Sequence, residues 1–258
     1  MLSLLKRNIG KRFLSGKTFV FIVLCIGAML SEYQHMGMDT SYSTSYLILE
    51  GPFAVFMQVV SPQNSTLIST VLMAVIVLSF LESPVVNQND SFFIMRAGKT
   101  KWMLSEIAGV FLAGAIWVFL IQVMGCISSC NHMDWADWKI YPQNMRCMLI
   151  YFLAYVCIGL LILLFHALNI KALGTSIMVS LFLLEAFILD TLPNNIGVIS
   201  ESIDAKRVLA IVKKFTFMNR MENGAAHENF TFSVVYFLII IVVATGLNMV
   251  YARRHEVG

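Results

Sequence analysis

Six apolar stretches, several of them close to 20 residues long, set the terms for this chain: Thr18–Ser31, Ser65–Leu81, Met103–Ile127, Cys147–Leu168, Ala172–Leu189 and Phe230–Tyr251. A hydrocarbon layer about 30 Å thick takes about 20 helical residues to cross, so each run reads as a membrane-spanning helix. The first is short, but the apolar residues before it can lengthen the helix. Soluble domains carry roughly 25% charged residues. This chain of 258 residues has 13%, with 58% hydrophobic, more apolar surface than one soluble core can hide. The expected fold is an all-α integral membrane protein with six transmembrane helices in a single transmembrane domain spanning residues 1–258. A weaker run, Leu47–Val60, is interrupted by Glu50, Gly51 and Pro52 and reads as a re-entrant or surface segment.

Cations set the orientation, because cytoplasmic segments retain Lys and Arg. Lys6, Arg7, Lys11, Arg12 and Lys17 precede the first span; Arg96, Lys99 and Lys101 lie between the second and third; Arg253 and Arg254 end the chain. Six spans with both termini in the cytoplasm put all of them inside. The segment before the last span works against this. It carries Lys206, Arg207, Lys213, Lys214 and Arg220, yet falls outside. Long loops obey the charge rule weakly, and Val208, Ile211, Val212, Phe215 and Met218 share one helical face. An outer amphipathic helix within the extracellular segment 190–229 reconciles the two. At the inner face, Leu2, Leu5, Ile9 and Phe13 line one side of residues 1–17, with Arg7 and Lys11 opposite, as in an interfacial amphipathic helix. No small-residue cleavage pattern follows Leu30, which argues against a signal peptide.

Catalytic signatures are missing. Gly98-Lys99-Thr100 mimics the end of a P-loop, but Phe93 stands where the first glycine must be, so no nucleotide site is expected on this chain. No HExxH, GxSxG or paired carboxylates occur on an apolar helix, and no His/Cys cluster suggests a metal. The net charge of +3 is too small and dispersed for nucleic acid. Cys25, Cys147 and Cys157 read as buried apolar residues, while Cys126 and Cys130 could bridge only on an oxidising face.

Among polar residues inside spans, Glu185 stands out. A charge at that depth costs about 2.5–3.5 kcal/mol on insertion scales, so it needs a partner or a water-filled path. The hairpin of spans four and five puts Tyr155 at about the same depth. One reading is a protonated Glu185 bonded to Tyr155 or a backbone carbonyl; the other is a polar contact in a substrate path. Glu106 near the start of span three is expected to be solvated, His166 to be interfacial, and Gly109 with Ala113 to permit close helix approach.

The segment from Glu82 to Glu106 is the most informative. After Asn87–Asp90, with Asp90 or Ser91 able to cap a helix, come Phe92, Phe93, Met95 and Arg96, then Gly98, Lys99, Lys101 and Trp102 leading into span three. A short cytoplasmic helix over 91–102 bearing aromatic and Arg side chains is suited to docking on another protein; an ordinary interfacial loop is the competing reading. The arrangement resembles the membrane subunit of type-2 ATP-binding-cassette exporters. Glu82, Phe93, Arg96, Gly98, Lys101 and Trp102 match that family's acidic end of span two and its coupling helix, although Val86 replaces the usual glycine of the loop.

The resemblance implies a half-transporter without enzymatic activity of its own. A separate ATPase subunit would bind ATP and Mg, a second permease copy would complete the path in a homodimer, and the setting would be a bacterial plasma membrane. Glu82, Phe92, Phe93, Arg96, Gly98, Lys99, Lys101 and Trp102 would form the ATPase joint, and Glu185 and Tyr155 would face the path. The small size and lack of a large outer domain look most like bacterial drug or peptide exporters, including those of cytolytic toxin peptides. The alternative is a non-transporting immunity or scaffold protein that sequesters a peptide without ATP.

Overall fold

The computed structural model describes residues 98–129, 140–168, 216–222 and 229–254, together with isolated positions among 19–27, 177–185 and 211–215 and Phe53. Four helices lie in these stretches: α1, Lys99–Ser129; α2, Ile140–Ala167; α3, Phe217–Glu222; and α4, Phe230–Arg254. Among the described residues there are no strands. Within α1, α2 and α4, the stretches Lys99–Ile127, Tyr141–Phe165 and Phe230–Arg253 are long and apolar enough to cross a membrane. All three fall where spans three, four and six are expected. The isolated positions described within the first and fifth expected spans are helical. The second span, the interfacial segment 1–17 and residues 82–97 lie outside the described residues.

Helix ends follow from local chemistry. Gly98 adopts φ 80°, a left-handed conformation that L side chains resist, and its carbonyl accepts the Trp102 amide at 3.1 Å. The chain therefore turns sharply at Gly98 and enters α1 at Lys99. Residues 99–102, read from sequence as the end of the coupling helix, are the first turn of α1 and continuous with the span. Pro142 occupies the first turn of α2, where its missing N–H costs nothing. This lets α2 begin at Ile140, well ahead of the expected Cys147.

The three long helices share one core. α1 and α2 run antiparallel: Phe111 packs against Phe152 near one end, and Gln122 bonds Asn144 near the other. Between them, Gly114 lets the helices close, because a Cβ there would meet Val156 Cγ2 at 3.2 Å. α2 and α4 run parallel. Arg146 lies over Phe230, Cys157 Sγ–H donates to the Phe237 carbonyl at 3.4 Å, and Asn248 Nδ2 donates to the Leu160 carbonyl at 3.1 Å. About 67% of the apolar stretch of α2 is buried, against 44% for α1 and 22% for α4, so α2 is the centre of the bundle. Trp117, Ile121, Tyr151, Tyr155 and Phe237 fill the space around it. Val235, Leu238, Ile239, Val242 and Val243 face outward from α4, a surface suited to acyl chains.

The directions put Lys99, Lys101, Arg253 and Arg254 at one end of the bundle, and the starts of α2 and α4 at the other. Leu168 closes α2 at the first end. Glu185 has come towards the second, where Phe217 and Tyr236 lie.

Candidate functional site

Two polar layers and one joint stand out from the apolar bundle. The joint is Gly98 with the first turn of α1. Lys101 is exposed there, while Lys99 and Trp102 are half-buried and Trp102 packs on the core. Gly98, Lys99, Lys101 and Trp102 thus cluster at the end that also receives Arg253 and Arg254. Glu82, Phe92, Phe93 and Arg96 lie outside the described residues.

One layer sits near this joint. Glu106 is 2% exposed, with the buried Ser105 beside it, so the expectation of a solvated Glu106 is corrected. Because α1 begins at Lys99, Glu106 lies two turns inside the helix and within the packed core. Asn248, fully buried on α4, donates through Nδ2 to Leu160 and Ala244 carbonyls, while its Oδ1 has no hydrogen-bond partner among the described residues. The sequence reading passed over Asn248. Its signal was plain enough, an amide side chain four positions after Ala244 within an apolar span.

The second layer lies at the opposite end. Glu185 Oε1 accepts the Phe217 amide at 2.8 Å, so one partner of this carboxylate is the first N–H of α3. The Phe217 ring stacks edge-on against Phe237 at 5.1 Å, and the Tyr236 hydroxyl donates to the Phe215 carbonyl at 3.1 Å. α3 is thereby fastened to α4 and to Glu185. Tyr155 is buried on α2, its ring 5.9 Å from Tyr151. Cys157, two residues along, bonds to Phe237, which brings Tyr155 to the same general depth.

Arg220, expected among the cations of the outer segment before the last span, is 4% exposed, with its guanidinium 4.8 Å from the Phe232 ring centre. Burial lowers its pKa from the ordinary value, and Tyr236 offsets part of that change; a guanidinium remains protonated at neutral pH. Of the expected apolar face, Ile211 and Phe215 are described as helical, while Val208, Val212 and the side chain of Met218 lie outside the described residues. Thr216 is buried and non-helical, its carbonyl accepting the Arg220 amide, whereas Ile211 and Phe215 are exposed.

Phe53 reaches the same end of the bundle. It is fully buried, edge-on to Tyr151 at 5.1 Å, and its amide donates to Asn144 Oδ1 at 3.0 Å. The interrupted apolar run 47–60 thus sends at least this residue into the core. Cys126 is a free thiol whose sulfur accepts Gln122 Nε2; Cys130 lies outside the described residues. No group of three or more His, Cys, Asp or Glu able to hold a metal occurs among the described residues. Compared with protein-family models, with curated proteins and with solved structures, the chain finds no match in any of the three.

Proposed function

We propose that this chain is the permease subunit of an ATP-driven exporter, moving an amphipathic or hydrophobic substrate such as an antibiotic or peptide outward across a bacterial plasma membrane. The observation that carries the reading is the left-handed turn at Gly98. It marks the start of α1 at the point where a coupling element would hand force to a span. The resemblance in residues 82–102 supplies the rest of that joint, with Phe93 and Arg96 as anchors against the ATPase. Parallel α2 and α4 support a reading in which the chain between them crosses once more, with Glu185 on that fifth span. A homodimer would enclose a path lined in part by Glu185 and Tyr155, with ATP and Mg held by the partner ATPase.

The test is reconstitution of the full chain with its cognate ATPase. Phe93→Ala combined with Arg96→Ala is expected to leave basal ATP hydrolysis in place and to cut ATP-dependent substrate export at least tenfold. Export unchanged by the double substitution would sink the coupling assignment. Protection of cells without any co-purifying ATPase would favour an immunity protein that sequesters its peptide.

A further inference from the structure

We propose that the end of the bundle where α2 and α4 begin holds a site for a phosphate-class anion carried by a lipid headgroup, centred on Arg220. The residue is 4% exposed, and among the described residues its buried Nε has no hydrogen-bond partner. A buried guanidinium nitrogen with no acceptor among the described residues is a costly arrangement unless an anion completes it. Glu185, the described carboxylate that reaches this layer, is engaged by the Phe217 amide.

The surroundings point to the same ligand. Arg220 lies over Phe232 in the first turn of α4, and the bond from the Ser233 amide to Asn229 opens that helix's ladder. The amides of Phe230, Thr231 and Phe232 lie ahead of it, at the positive end of a 25-residue helix. Arg146 stacks on Phe230, 5.6 Å from its centre, and adds a second positive charge to the same helix end. Two cations and a helix N-terminus therefore place positive charge around the first turn of α4. A guanidinium fork suits phosphate geometry better than a point charge would.

The apolar neighbours decide the source. Phe232 also packs edge-on against Phe215 at 6.2 Å, and Phe215 is 58% exposed, as is much of Ile211. A buried cation and an outward apolar surface thus meet on one ring, as a phosphate with attached acyl chains requires. Tyr141, at the start of α2, is exposed at this end too. Aromatic side chains favour the headgroup zone, where lipid phosphates lie. The site does not depend on what, if anything, the protein exports.

The experiment uses the full chain in maltoside micelles, which contain no phosphate, at constant ionic strength. Phosphatidylglycerol, diacylglycerol with the same chains, and inorganic phosphate are added separately. Thermal midpoint and lipid retained in native mass spectrometry are read for the wild type and Arg220→Gln. The expected result is a midpoint raised by several degrees, with lipid retained, for phosphatidylglycerol only in the wild type. A rise with inorganic phosphate that Arg220→Gln abolishes keeps the anion site and adds free phosphate as a source. Equal effects of diacylglycerol and phosphatidylglycerol, or an undiminished response in Arg220→Gln, would overturn the proposal. Should that variant not fold, Arg220→Lys preserves charge without the fork. It is expected to retain at least fivefold less phosphatidylglycerol, and undiminished retention would again overturn the site.

Discussion

Asn144 uses both ends of its amide inside an apolar bundle. Its oxygen accepts the Phe53 amide at 3.0 Å, and its nitrogen donates to Gln122 Oε1 at 3.1 Å and Met148 Sδ at 3.5 Å. Replacing it with Leu removes the acceptor from a buried backbone N–H, which costs about 1–3 kcal/mol. Asn144→Leu is therefore expected to lower the thermal midpoint in detergent, whereas Asn144→Asp, which keeps an acceptor for Phe53, should lose less. Equal midpoints for Asn144→Leu and the wild type would remove Asn144 from any anchoring role. Polar residues were unevenly legible in the sequence. Glu185 announced itself as a carboxylate within an apolar run, but its contact with Phe217 joins positions 32 apart and could not be read from either. The burial of Arg220 could not be read from its own segment, because its neighbours in space, Phe232 and Tyr236, lie on the following span.

Helices were the most legible elements, because length and apolarity alone mark a span. α1, α2 and α4 all fall on expected runs. Their starts were harder, since a helix can continue through polar residues beyond the hydrocarbon, as α2 does through Tyr141-Pro142-Gln143-Asn144. Packing was harder still. Gly109 and Ala113 are expected to permit close approach, and both are buried; Gly114, one residue on, is tightly faced by Val156. A small-residue spacing shows that approach is allowed, not which partner exploits it. Val156 is buried and β-branched, with little freedom at χ1 in a helix, so it yields poorly to an added methyl. Gly114→Ala is expected to destabilise the α1–α2 pair by about 1 kcal/mol and Gly114→Leu by about 1–3 kcal/mol or more. Chemical denaturation in mixed micelles measures both. A Leu variant as stable as the wild type would contradict the packing described.

The antiparallel packing of α1 and α2 was legible from their succession along the chain. The arrangement of the whole bundle was illegible where segments far apart in sequence meet. Antiparallel α1 and α2, with α4 parallel to α2, fix which positions share a side. Single cysteines at Lys101 and Arg253 should react with a membrane-impermeant maleimide from one side, and cysteines at Tyr141 and Lys214 from the other. Labelling would be compared with a background in which the native cysteines are replaced; Lys101 and Lys214 reacting from the same side would refute the arrangement. Phe53 was the contact least accessible to sequence reasoning, because its partner lies 91 positions later. That separation also has a meaning in time. At about 5–20 residues per second of synthesis, Asn144 follows Phe53 by roughly 5–20 s. Over that interval the Phe53 amide must be sheltered by water, by the insertion machinery or by an interim neighbour, because hydrocarbon offers it no acceptor. The order in which the ribosome delivers these segments thus leaves the chain's first half waiting on its second, and makes the arrival of α2 the event that completes the docking of Phe53.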